Sequence, residues 1–134
     1  MALLKSVLLV DDDYISNFLN SRLIKRLNLA GDIKVAENGK IAFDYLVNEM
    51  KTLSPDLILL DINMPVMSGF DFLEALKNLP ADELNNTRII VLTSSTSLLD
   101  LQDLSMYSVS GFIEKPLTQK KILDFFGPLF NHAA

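Results

Sequence analysis

Three stretches of branched apolar residues, Val7 to Val10, Leu57 to Leu60 and Ile89 to Leu92, constrain this chain more than anything else in it. They are nearly continuous rather than alternating, so each reads as a strand covered on both faces. Two weaker segments, Ile33 to Ala36 and Gly111 to Ile113, are short or interrupted, as edge strands are. Between these segments the apolar spacing lengthens to that of a helix. Ile15, Phe18, Leu19, Leu23 and Leu27 form one stripe, and Ala42, Tyr45 and Leu46 a second. Phe72, Leu73 and Leu76 form a third, and Ile122, Phe125 and Phe126 close the series.

Strands alternating with helices predict an α/β domain with a parallel sheet, helices on both faces and right-handed crossovers. Three buried strands and two weaker ones fit the order 2-1-3-4-5, the flavodoxin-like arrangement. The punctuation agrees. Asn38-Gly39 supplies a turn before the second helix, and Ser68-Gly69 with Asp71 resembles a capped start for the third. Pro80 follows that helix, and Ala81 to Thr87 is a polar loop. Gly127-Pro128 is expected to close the fifth helix, which leaves a core of about residues 5–127 and a short tail.

The 134 residues suit a single domain. The absence of cysteine excludes disulfides, thiol catalysis and thiolate metal sites. No apolar run approaches the ~18–20 residues needed to span a bilayer. The start runs straight into Asp11, Asp12 and Asp13 without a small-residue cleavage site, so it reads as a buried strand, and a cytoplasmic location is expected. A net charge of −5 with no dense Lys/Arg cluster argues against nucleic acid or an anionic membrane as direct partner.

In such a fold, ligands bind outside the carboxyl ends of the strands, near the point where strand order reverses. Asp11, Asp12 and Asp13 follow strand 1, and Asp61 follows strand 3. Thr93 and Ser94 follow strand 4; Glu114 and Lys115 follow strand 5. Each acid alone also reads as a helix cap, Asp13 most of all. Together they imply more, because carboxylates within ~4–6 Å repel one another unless a cation neutralises them. An all-oxygen set without His or Cys suits a hard ion such as Mg²⁺ and not zinc.

At these residues the sequence resembles the receiver domain of the two-component response-regulator family. The resemblance runs from VLLVDDD through LLDINMPVMSGFDFL and VLTSS to GFIEKP, in that order and at receiver spacing. It implies that Asp11 and Asp12 hold Mg²⁺, that Asp61 is phosphorylated, and that the backbone carbonyl of Asn63 ligates the metal. It makes Thr93 the switch hydroxyl, Lys115 the lysine that precedes a proline in a cis peptide bond, and Phe112 the switch aromatic. Lys115 is expected to pair with Asp61 before phosphate arrives. Asp61 then attacks phosphorus in line, in a reaction that asks little of a protein beyond positioning and charge neutralisation.

The same resemblance implies a phosphoryl-accepting switch rather than an enzyme. Its donor would be the phosphohistidine of a sensor histidine kinase or a histidine phosphotransfer protein, or a small acyl phosphate, since the chain has no Gly-rich nucleotide loop. Its lone histidine, His132, is expected in the tail. Output is expected through a protein partner on the face made by the fourth helix, strand 5 and the fifth helix, or by onward transfer. The fourth helix, Leu98 to Tyr107, carries too many apolar residues for one buried stripe. Three other readings fit less well. A haloacid-dehalogenase-type phosphatase would want an acid where Asn63 stands, and a flavin site after strand 1 would be repelled by three aspartates. A pseudo-receiver would keep the fold but signal without phosphate.

Overall fold

The computed structural model describes residues 4–53, 55–62, 64, 67–79, 87–93, 107 and 109–133, the side chains of 49–53 and 127–133 excepted. Five strands pair in parallel: β1 (Leu4–Val10), β2 (Ala30–Ala36), β3 (Leu57–Asp61), β4 (Arg88–Thr93) and β5 (Gly111–Glu114). Their order is β2-β1-β3-β4-β5, as the apolar pattern predicts. The helices are α1 (Tyr14–Arg26), α2 (Gly39–Leu53), α3 (Gly69–Leu76) and α4 (Gln119–Ala133), the last being the helix that follows β5. The helix expected over Leu98 to Tyr107 lies outside the described residues except for Tyr107, as does the polar loop after Pro80 except for Thr87.

Alternation along the strands divides the core into two layers. Leu8, Val10, Ile58, Leu60, Ile89 and Val91 face α2 and α3, where Ala42, Leu46, Phe72, Leu73 and Leu76 meet them. Val7, Leu9, Leu57, Leu59, Ile90 and Leu92 face α1 and α4, and bury Leu23, Ile24, Ile122 and Phe126. The sheet is therefore apolar on both sides, which is why its central strands read as unbroken runs.

Caps fix the helix starts. Asn38 Oδ1 accepts the backbone N–H of Ile41 at 2.9 Å. Ser68 and Asp71 form a reciprocal capping box at the start of α3. Asp13 caps α1, accepting the N–H of Ile15 at 3.1 Å and the hydroxyl of Ser16 at 2.8 Å. At the far end of α1, Asn28 takes a left-handed conformation (φ 51°) and Leu29 N–H bonds back to the Ile24 carbonyl, turning the chain into β2.

Two expectations are corrected. In α1, Ile15, Phe18 and Leu19 are 64, 50 and 54% exposed, whereas Asn17 and Asn20 are buried with Leu23 and Ile24. The inward face is thus rotated from the apolar stripe in the first two turns, because a buried asparagine there serves the end of β1. The second correction concerns α4, which runs through Gly127-Pro128 to Ala133 and includes His132. An interior proline loses its own N–H bond and crowds the carbonyl four residues earlier, which disfavours a helix without ending this one, since its fixed φ is a helical one.

Candidate functional site

The carboxyl ends of β1, β3, β4 and β5 lie side by side, and the parallel register aligns them: Val10 pairs with Leu60, Asp61 with Leu92, and Thr93 with Glu114. The residues just beyond therefore converge. Asp11, Asp12 and Asp61 bring one carboxylate oxygen each to within 4.8 Å of one another. Asp11 and Asp61 are buried, as is Thr93 at the end of β4, while Asp12 stands at the exposed rim. Asn63 and Ser94 lie outside the described residues.

Lys115 reaches into this cluster from the end of β5. Its Nζ donates to Asp11 Oδ2 at 3.0 Å and lies 3.5 Å from Asp61 Oδ1. The ammonium thus bridges both buried acids, with the shorter contact to Asp11 rather than to Asp61. Burial pulls this ammonium's pKa down, but the hydrogen bond to Asp11 and the charges of Asp11 and Asp61 outweigh it and hold the group above its ordinary value. The Lys115-Pro116 peptide bond is cis. Around it, Lys121 Nζ donates to the Glu114 carbonyl at 2.7 Å and the Pro116 carbonyl at 3.0 Å, fixing the turn that carries Lys115.

Backbone geometry holds the acids in place. The N–H of Asp13 donates to Asp11 Oδ1 at 2.9 Å, orienting that carboxylate. Gly69 closes the other side: its N–H donates to the Ile62 carbonyl at 2.8 Å. A Cβ at Gly69 would lie 2.6 Å from the Asp61 carbonyl oxygen, so only glycine lets α3 begin so near the acid. One positioning residue escapes a reading of the sequence. Asn17 Nδ2 donates to the Asp11 carbonyl at 2.9 Å from inside α1. The only signal for it is a polar residue breaking the inward face one helical turn after the cap.

Charge and donor chemistry define what fits. Three carboxylates share one ammonium among the described residues, which leaves a negative excess that a dication relieves. The donor set is all oxygen, the chemistry Mg²⁺ prefers. Phe112, on β5, is 46% exposed.

The family profile described as response regulator receiver domain matches residues 7–126. The chain belongs to that family. As a receiver domain it is a phosphoryl-accepting signalling switch. It is 39% identical over 110 residues to a protein-glutamate methylesterase/protein-glutamine glutaminase from Desulfotalea psychrophila, covering 82% of the chain and 29% of that protein. The chain therefore spans less than a third of that relative's length. The crystal structure of a two-component response regulator from Cytophaga hutchinsonii superposes with a TM-score of 0.83 at 30% identity, covering 96% of this chain and 98% of the other. A chain from the CheX-CheY-BeF3-Mg²⁺ complex of Borrelia burgdorferi gives 0.77 at 25% identity, with 94% and 89% covered. Among the described residues, no helix of this receiver is long and apolar enough to cross a membrane.

Proposed function

We propose that Asp61 is the phosphoryl acceptor of this receiver, that Asp11 and Asp12 with Asp61 and the Asn63 carbonyl hold Mg²⁺, and that a partner's phosphohistidine is the donor. The observation that carries this reading is the buried Asp61 carboxylate set within 4.8 Å of the Asp11 and Asp12 oxygens, with the Lys115 ammonium 3.5 Å away. In the transfer, an Asp61 oxygen forms a bond to phosphorus as the P–N bond to the donor ring breaks; that ring, protonated beforehand on its other nitrogen, keeps the P–N electron pair and leaves as neutral imidazole. Mg²⁺ held by these carboxylates and the Asn63 carbonyl would supply charge neutralisation to the phosphoryl oxygens. Lys115, already aimed at the site, exchanges its contact with Asp61 for one with a phosphoryl oxygen. Thr93, at the end of β4, donates its hydroxyl to another.

That last bond exists only after phosphorylation, so it shifts the equilibrium toward whatever position of β4 permits it. Phe112, half exposed on the neighbouring strand, then turns inward. The changed surface comprises the segment Leu98 to Tyr107, β5 and α4, and it is read by a protein partner or followed by onward phosphotransfer. The partner that supplies the phosphoryl group is a sensor histidine kinase or a histidine phosphotransfer protein. The chain does not turn over substrate; it is modified stoichiometrically. The esterase activity of the Desulfotalea relative is not part of this reading, because the match occupies 29% of that protein.

Incubation with Mg²⁺ and acetyl phosphate, followed by intact-mass measurement, tests the assignment. Wild type gains one phosphoryl group, Asp61→Asn gains none, and chelation of Mg²⁺ abolishes the gain. A wild type left unmodified by both acetyl phosphate and a phosphohistidine-bearing donor would instead mark a receiver that signals without phosphate.

A further inference from the structure

One peptide unit at the end of β5 is held from both sides. The N–H of Lys115 donates to the Thr93 carbonyl at 2.7 Å, which ties the unit to β4. The carbonyl of the same unit belongs to Glu114, points the other way across the planar trans peptide, and accepts Lys121 Nζ at 2.7 Å. The same ammonium donates to the Pro116 carbonyl at 3.0 Å. Between these two carbonyls lies the Lys115-Pro116 unit, whose proline nitrogen has no hydrogen to donate. A backbone bond cannot pin that unit through its nitrogen, so one side chain brackets it instead.

Helix preference alone does not account for Lys121. It lies in the first turn of α4, where the helix dipole favours acids over cations, and no acid stands in that turn. Its neighbour Lys120 is 88% exposed and pairs with Asp124 one turn on, at 3.6 Å. Lys121 turns back toward the strand end. Thr118 Oγ1 accepts its backbone N–H at 3.2 Å, which fixes where its stem begins. The unfavourable placement is offset by what the ammonium holds, the two carbonyls that flank Lys115.

We propose that Lys121 is a positioning residue for phosphoryl transfer. By holding the peptide units on both sides of Lys115, it sets where the Lys115 ammonium sits against the buried acids. That ammonium lies 3.0 Å from Asp11 Oδ2 and 3.5 Å from Asp61 Oδ1, so a rotation of the Glu114-Lys115 peptide plane is felt at both contacts. Transfer depends steeply on such placement, with ~100-fold lost for about an ångström of error. Lys121 acts through Lys115 and not on the reacting atoms. This inference rests on the proposed transfer to Asp61.

The test is the initial rate of labelling of the whole chain by acetyl phosphate at saturating Mg²⁺, read by intact mass over a range of donor concentrations. Lys121→Met keeps the stem and removes the donor group. Its maximal rate should fall about three- to tenfold, with the half-maximal concentration within about twofold of wild type. Lys121→Arg, whose guanidinium can donate to two carbonyls at once, should recover most of that rate. Lys120→Met removes the same charge one residue away and should label like wild type. Amide exchange reads the clamp without any phosphate: the Lys115 N–H should exchange faster in Lys121→Met, while the amides of β1 and β3 keep wild-type rates. An unchanged maximal rate, even beside a lower urea midpoint, would mark a merely structural contact and overturn the proposal. An equal loss in Lys120→Met overturns it too, by making the effect one of net charge. Wild type and Lys121→Met labelling equally fast rejects only this inference, whereas a wild type that takes no phosphate rejects the transfer to Asp61.

Discussion

Helices α1 and α3 both begin beside the acidic cluster, and both carry an apolar stripe at helical spacing, but they spend it differently. In α3, Phe72, Leu73 and Leu76 are all buried against the sheet. In α1, the first two turns bury asparagines and leave Ile15, Phe18 and Leu19 half exposed or more. Helix α3 is a support driven into the core beneath Asp61. Helix α1 is a surface with polar residues turned in to serve the strand end. Apolar periodicity therefore identifies a helix, but which face goes inward depends on what the neighbouring strand end requires.

The sharpest way to break this contrast is to shorten one side chain on each helix. Phe72 is fully buried. Phe72→Ala removes an aromatic ring from the middle of a layer and is expected to cost about 3–5 kcal/mol, read as a lower urea midpoint with an unchanged slope. A loss below about 1 kcal/mol would mean that α3 is not the support described.

The start of α3 predicts the next largest effect. Gly69→Ala places a methyl group 2.6 Å from the Asp61 carbonyl oxygen and 2.7 Å from the Ile62 Cα, and both are backbone atoms that cannot move aside cheaply. The expected cost is about 1–3 kcal/mol. Because the clash falls on Asp61 itself, acetyl phosphate labelling should slow as well. A variant equally stable and equally quick to label would show that α3 does not set the acid's position.

A smaller effect is confined to one pH window. Lys115 has a higher pKa in the folded chain than its ordinary value of 10.5, because Asp11 and Asp61 favour the charged form despite burial. Such a group contributes stability that is fully present below the unfolded value and is lost as pH rises through the folded one. Wild type should therefore lose stability from about pH 10.5 upward more steeply than Lys115→Met, with the two slopes parallel at neutral pH. Asp13 works at the opposite end. The Ser16 hydroxyl and then the Ile15 N–H hold its carboxyl below the ordinary range, so its capping of α1 persists above pH 3.8 and fails as pH falls through the folded value.

What could be read beforehand follows the same division. Strand order was legible because residues Val7 to Val10, Leu57 to Leu60 and Ile89 to Leu92 are covered on both faces, and that leaves a pattern no helix stripe imitates. The convergence of Asp11, Asp12, Asp61, Thr93 and Lys115 followed from strand order alone. The pairing of Lys115 was not legible, since sequence places Asp11 and Asp61 at the same sheet edge, and only packing decides which lies at 3.0 Å and which at 3.5 Å. Asn17 was not legible either. Its value lies in one hydrogen bond to a carbonyl six residues earlier, and a count of apolar residues is blind to that. Gly127-Pro128 was read as a stop because it combines two helix-disfavouring residues, although neither forbids continuation.

The last and smallest expected effect tests the α1 half of the contrast. Phe18→Ser removes about as many atoms as Phe72→Ala, but from a ring that is already half in water. If that face serves a partner and not the core, the unfolding free energy should change by no more than about 0.5 kcal/mol. The Arg22 guanidinium over the ring contributes little at an exposed site, so its loss should not enlarge the change. A cost approaching that of Phe72→Ala would place Phe18 in the core and collapse the distinction between the two helices. A near-neutral change, with labelling by acetyl phosphate intact, would leave exposed aromatic area beside a reactive site with no stabilising purpose of its own, which is the condition a docking surface satisfies.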